Sequence, residues 1–278
     1  MSDVAVITGT THGIGRVTSL ALARAGRTVV MLCRNLAAAQ LVRAEIQAAV
    51  PAAQVHAVRC DLASLISVRA AAEDVRSRFP RIDLLINNAG IVSSFFRRSA
   101  EGYELTFATN HLGPFALTGL LRPQLSERAR IVNVASRVHY RGKADFEAAA
   151  DPQARYRAYQ AYARSKLANV MFTFALARRL AAAGAGITCN CLHPGVVASN
   201  LLPHWLRLVK PLLSRVIFDE ERGAQSSIHL ALAPELAGRS GLYFDENQAI
   251  QAASAIANDE SQQEHLWRLS ERWSRIEY

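Results

Sequence analysis

The chain has 278 residues, half of them hydrophobic, enough to bury a large core in one α/β domain. Its formal charge of +9 comes from arginines scattered over several predicted helices, with no long basic run interleaved with aromatics, which argues against a nucleic-acid binder. Four cysteines without disulfide-framework or zinc-like spacing suit a reducing compartment and predict no metal site, and no uncharged apolar stretch reaches the roughly 18 residues of a membrane span.

Met1 lies a few residues before the first apolar run, leaving no room for a cleaved signal, so a cytoplasmic location is expected. That run, VAVIT (4–8), predicts the first strand and leads directly into TGTTHGIG, with Gly9, Gly13 and Gly15. The spacing departs from G-x-G-x-x-G but shares its physics: a tight turn, close backbone approach to a pyrophosphate, and amide donors at a helix N-terminus. A purely structural glycine turn is the alternative. TVVMLC (28–33) predicts the second strand, whose end, MLCRN, has no carboxylate to accept from a ribose 2′-hydroxyl. Arg34 there suits a 2′-phosphate, which favours NADP over NAD, with His12 as an assistant; the competing reading is a solvated loop charge.

QVHAVR (54–59) is the third strand, followed by Asp61, and IDLLIN (82–87) the fourth, followed by Asn88-Ala89-Gly90. Either loop alone reads as a turn. Asn110 falls within a predicted helix, where asparagine is unhelpful and marks a local backbone break. RIVNVA (130–135) delivers Ser136 to the end of the fifth strand, and ITCNCL (187–192) is the sixth, its Cys189 and Cys191 read as core packing. Helix stops fall at Gly26, Pro51, Pro80 and Gly184, and Ser64 is the expected N-cap of the third helix.

In QAYARSKLANV (160–170), Tyr162 and Lys166 lie one helical turn apart, which would hold the ammonium beside the phenol oxygen. Lowering a phenol's pKa from about 10 to about 7 takes roughly 4 kcal/mol, part of which a lysine can supply; an ordinary surface pair is the rival reading. Strands alternating with helices predict an α/β fold, a Rossmann-type doubly wound parallel sheet of about seven strands with helices on both faces, in one domain over 1–278. Two connections are long, 137–158 and 196–222. Insertions at strand C-terminal ends are where ligands bind in such sheets.

In order and spacing, TG-xxx-GIG, NNAG, Asn110, Ser136, Tyr162-xxx-Lys166 and Pro194-Gly195 resemble the short-chain dehydrogenase/reductase family over essentially the whole chain. CRN, TNHLGPF, AYARSKLANVMFTFALARRL, LHPGVV and GLYF resemble its retinol-dehydrogenase-like branch. The resemblance implies an NADP(H)-dependent oxidoreductase interconverting a hydrophobic aldehyde or ketone and its alcohol. It makes Tyr162 the general acid/base, Ser136 the donor to the carbonyl oxygen, Lys166 the modulator of the phenol and holder of the nicotinamide ribose, and Asn110 the holder of a relay water. The cofactor contacts it implies are Gly9, Thr11, His12, Gly13, Ile14, Gly15, Arg34, Asp61, Leu62, Asn88, Ala89, Gly90, Tyr162, Lys166, Pro194, Gly195, Val197 and Ser199.

Ala135 replaces the first serine of a common Ser-Ser pair without touching the catalytic position, and the N-terminal anchor of several retinol dehydrogenases is missing, which weakens the case for a membrane-bound retinoid substrate. His139 and His193 read as loop or packing residues, since Tyr, Lys and Ser leave no acid/base role vacant. Within 196–222, Trp205, Leu206, Val209, Leu212, Leu213 and Phe218 suit either an amphipathic lid or ordinary helix packing, and Phe95-Phe96-Arg97-Arg98 either a pocket rim or an exposed loop. A homo-oligomer paired through the Tyr162 helix is implied by the family and agrees with LANVMFTFALA, apolar on more than one face. The rival function is a catalytically idle NADP(H)-binding regulator; peripheral membrane contact through 202–218 is compatible with either.

Overall fold

The computed structural model describes residues 3–151, 155–197 and 217–278. Six predicted strands form where the β-branched runs lie: β1 (Val4–Thr8), β2 (Thr28–Cys33), β3 (Val55–Arg59), β4 (Ile82–Asn87), β5 (Leu125–Val134) and β6 (Thr188–Leu192). Three two-residue pieces, β7 (Val196–Val197), β8 (Ile217–Phe218) and β9 (Tyr243–Phe244), and a last one, β10 (Ile250–Gln251), are too short to show a period in sequence. The main sheet has eight strands in the order β3-β2-β1-β4-β5-β6-β9-β10, parallel except for β10, which runs antiparallel to β9. This is one strand more than the expected count of about seven. β5 also begins earlier than expected, because its first half carries Ser126, Glu127 and Arg128 and lies partly in solvent.

Alternate residues of the central strands feed two cores. Ala5, Ile7, Val29 and Met31 pack with Leu22, Val42, Ile46 and Leu230, while Val6, Val30 and Leu32 pack with Val68, Val75, Leu117 and Leu121. The helices α1 (Gly13–Arg24), α2 (Leu36–Ala49) and, much later, α7 (Glu220–Leu232) therefore cover one face of the sheet. The helices α3 (Leu65–Arg78) and α5 (Gly113–Leu121) lie on the other. Ser64 caps α3 as expected, its hydroxyl accepting from Ser67 N.

The long helix α6 (Ala158–Ala182) carries Tyr162 and Lys166. The C-terminal helix α8 (Glu260–Ser274) lays Trp267 against Phe115 of α5 and Phe172 of α6, with ring centroids 5.2 and 6.0 Å apart. Arg179 of α6 sits over the Trp267 ring at 3.9 Å. The two-sided apolarity of α6, expected to mark a subunit interface, is thus met within the chain by its own C-terminus.

Strand order reverses between β1 and β4, so a crevice opens at the strand C-terminal ends where Gly9, Arg34, Asp61, Asn88 and Ser136 emerge. The ends of the 196–222 insertion meet where the backbones of β7 and β8 pair in parallel. Most of its expected lid, including Trp205, Leu206, Val209, Leu212 and Leu213, lies outside the described residues. Among the described residues no helix is long and apolar enough to cross a membrane.

Candidate active site

At the nucleotide end, backbone contact shapes the turn. Gly9 has φ +72°, and a Cβ there would come within 2.8 Å of Ala89 Cα. A Cβ on Gly15 would lie 2.2 Å from Gly9 O and 2.6 Å from Asn88 Nδ2, so only glycine lets α1 start this close to the loop after β4. Asn88 locks the arrangement: its side-chain amide donates to Thr8 O (2.8 Å) and Gly9 O (3.1 Å), while the main-chain N–H groups of Asn88 and Ala89 both donate to Thr8 Oγ1 at 3.0 Å. Asn88 therefore spends its side chain on the turn itself.

Gly13, with φ +63°, has nothing nearer to a notional Cβ than Glu220 Oε1 at 3.9 Å, which leaves an open cradle at the start of α1. That helix has no side-chain cap and no acid in its first turn, so its N–H donors suit an anion. Thr11 and Ile14 are half-buried beside it, and the exposed His12 pairs through Nδ1 with Thr11 Oγ1 at 3.1 Å. Arg34 is exposed at the end of β2 and has no ion pair or hydrogen bond among the described residues. Asp61 accepts from Ala63 N, and the buried Leu62 is met by α5, whose Gly113 would place a Cβ 2.4 Å from Leu62 O. An open glycine cradle, free helix amides and an unpaired guanidinium together fit a phosphorylated dinucleotide.

At the catalytic end, buried polar groups converge. Leu105–Phe107 (α4) continues through a π-helical turn, Ala108–Leu112, into α5, so the break expected at Asn110 is a wide turn rather than a helix end. Asn110 is fully buried: Oδ1 accepts from Ile91 N (2.8 Å), and Nδ2 donates to Ile91 O (2.9 Å) and Ser165 Oγ (3.0 Å). Its side chain is thereby committed to pinning the loop after Gly90 to α6. Ser136 Oγ accepts from Val138 N at 3.3 Å, which leaves its own proton to donate, and it is hydrogen-bonded to the half-buried Tyr162 phenol. A Cβ on Gly90 would stand 3.4 Å from Lys166 Nζ and 3.6 Å from Asn110 Oδ1, so glycine keeps these two groups adjacent.

The hydrogen bond of the lysine goes to the main chain and not to the phenol. Lys166 Nζ donates to Val134 O at 2.8 Å and lies 5.7 Å from the centroid of the Tyr162 ring. The buried ammonium takes the β5 carbonyl because an unpaired charge in the core is costly. Desolvation pushes the Tyr162 phenol up to about 12, opposed by the Ser136 hydrogen bond, and pushes Lys166 down to about 8. The chain's own groups thus leave the phenol protonated at neutral pH.

Pro194 and Gly195, half-buried, follow β6, with Gly195 at φ +82°; Val197 is in β7, and Ser199 lies outside the described residues. His193 is buried with Nε2 4.0 Å from Glu246, whose carboxylate binds Arg137. Cys189 and Cys191 are core residues whose thiols burial holds protonated. Phe96 packs edge-on to Tyr156 and under Arg98, whereas Phe95, Arg97 and Arg98 are exposed, so most of the FFRR run is surface. Sequence reading missed Tyr156, whose hydroxyl donates to Ser93 O at 2.5 Å, and Ser165, which links Asn110 to Tyr162 O. Both sit within a few residues of Tyr162, but nothing in their spacing signals a distant partner.

The family model for short chain dehydrogenase matches residues 3–207. The chain belongs to the short-chain dehydrogenase family. This oxidoreductase chain is 41% identical to retinol dehydrogenase 14 of Homo sapiens over 96% of its own length and 84% of that protein's. It is 39% identical to retinol dehydrogenase 12 of Mus musculus, with the same coverage of both chains. Among solved structures, an uncharacterized protein of Mycobacterium paratuberculosis superposes with a TM-score of 0.81 at 33% identity, over 99% of this chain and 94% of the other. A blue fluorescent protein from a metagenomic library, in complex with NADPH, gives 0.71 at 25% identity, over 87% and 95%.

Proposed function

We propose that this short-chain dehydrogenase interconverts a hydrophobic aldehyde or ketone and its alcohol with NADP(H), using Tyr162 as general acid/base. The observation that carries the reading is the convergence of Ser136, Tyr162, Lys166 and Asn110 near the end of β5. When bound, the nicotinamide supplies or accepts the hydride. Arg34 holds the 2′-phosphate with its guanidinium fork, and the MLCRN turn that carries it has no carboxylate. The α1 amides and the cradle at Gly13 take the pyrophosphate.

Ser136 donates from Oγ to the substrate oxygen and orients it beside the phenol. Tyr162, protonated at neutral pH, gives its proton to that oxygen during reduction and receives it back during oxidation. Lys166, titrating near 8, exchanges a proton close to physiological pH, and Asn110 fixes the loop after Gly90 beside it. The names of the retinol dehydrogenase relatives favour an apolar substrate.

The test is a fluorescence titration with NADPH and NADH followed by a nicotinamide-absorbance screen of hydrophobic aldehydes, ketones and alcohols. Tighter NADPH binding with turnover is expected. Tight binding without turnover across the panel would favour the idle regulator, and binding of neither nucleotide would contradict the reading altogether.

A further inference from the structure

The 3-10 turn Arg137–Arg141 follows Ser136 immediately, and His139 within it is fully buried. Its Nδ1 lies 2.8 Å from Ser136 O, and its Nε2 lies 3.3 Å from Ser254 N. A backbone carbonyl only accepts and a backbone N–H only donates, so the two partners fix one tautomer, with the proton on Nδ1 and the lone pair on Nε2. Protonating the ring would aim a second N–H at the N–H of Ser254. Burial lowers the imidazole pKa in the same sense.

The ring is held on both sides, 4.0 Å from Tyr140 and 4.8 Å from Tyr243 between centroids, and the Tyr140 hydroxyl donates to Ala252 O. The turn ends at Gly142, where a Cβ would stand 2.7 Å from Ala163 O, so its backbone lies directly on α6 next to Tyr162. Ser254 lies beyond residue 207, where the match to the family model ends.

We propose that His139 is a positioning residue: bonded to Ser136 O and to Ser254 N, it fixes the main chain of Ser136 so that Oγ meets Tyr162, and it ties this geometry to the C-terminal segment. The inference rests on the catalytic reading of Ser136 and Tyr162 above. It assigns a task to a side chain that the catalytic set leaves idle.

Nitrogen-15 NMR of the histidine rings, with His139→Leu to assign the signal, reads the tautomer without any turnover. A neutral ring protonated on Nδ1 from pH ~6 to ~8 is expected; an Nε2–H tautomer or a titrating ring would overturn the proposal. Kinetics with NADPH and decanal then compare three variants. His139→Asn can keep the bond to Ser136 O, because its amide replaces Nδ1, while His139→Gln and His139→Leu cannot. The first should stay within about threefold of wild type and the other two lose on the order of 10–100-fold in kcat with KM for NADPH unchanged. If activity instead follows melting temperature alike in all three, His139 only packs. Loss of turnover in Ser136→Ala and Tyr162→Phe with no loss in the His139 set sinks the inference alone; retained turnover in those two controls sinks the catalytic reading with it.

Discussion

At the nucleotide end of the crevice, Gly9, Gly15 and Asn88 are set by main-chain contacts between the β1 and β4 loops, and the charged group, Arg34, stands in solvent. At the catalytic end, Asn110, Ser136 and Lys166 are buried polar side chains, each held by a partner far along the chain. At Gly9 and Gly15 the first end has no room for an added atom, but it stores little electrostatic cost. The second accepts desolvated groups, and stability must come from elsewhere, here from α8 and the segment that precedes it.

Four variants separate the two ends. Trp267→Ala removes the ring that α8 places against Phe115 and Phe172, and should cost about 3–5 kcal/mol in chemical denaturation, the catalytic end loosening first in hydrogen exchange. Equal loosening at Gly9 and Gly15 would erase the distinction.

Lys166→Met should abolish turnover yet stabilise the ligand-free chain by about 3 kcal/mol at neutral pH, since the lysine's pKa falls from 10.5 to about 8 on burial. Between those two values the unfolded chain keeps a proton that the native chain has released, so wild-type stability rises with pH across this window and the variant's does not. Denaturation at pH ~7 and ~10 checks the sign. Parallel pH curves for the two proteins would mean that the ammonium is not desolvated.

Gly15→Ala forces a methyl into Gly9 O and should cost about 2–3 kcal/mol while weakening NADPH binding, read by thermal melting with and without the nucleotide. Arg34→Ala, the mildest, should weaken NADPH by about 2 kcal/mol and leave both NADH affinity and melting temperature unchanged, as befits an exposed side chain without a partner among the described residues. Equal weakening for both nucleotides would remove Arg34 from the 2′-phosphate.

The same contrast explains what the sequence made legible. The glycine turn, the six longer strands and the break at Asn110 depend on local backbone demands, and local residues announce them. The partners of the buried polar groups are remote: His139 meets Ser254 across 115 positions, and Lys166 meets Val134 across 32. Spacing of four on a helix brings Lys166 over the Tyr162 ring, but it does not show that the ammonium bonds to a carbonyl of β5. The apolar faces of α6 were legible as faces needing cover; that α8 of the same chain covers them was not, because amphipathicity does not name its partner.

The most direct test of the account is Tyr162→Phe, assayed side by side for NADPH binding by nicotinamide fluorescence and for turnover of a hydrophobic aldehyde. The substitution removes one hydroxyl at the catalytic end and leaves Gly9, Gly15, Asn88 and Arg34 untouched. NADPH affinity equal to wild type with kcat lower by about 10³–10⁴-fold is the expected result. Turnover within a few-fold of wild type, with NADPH still bound, would contradict it.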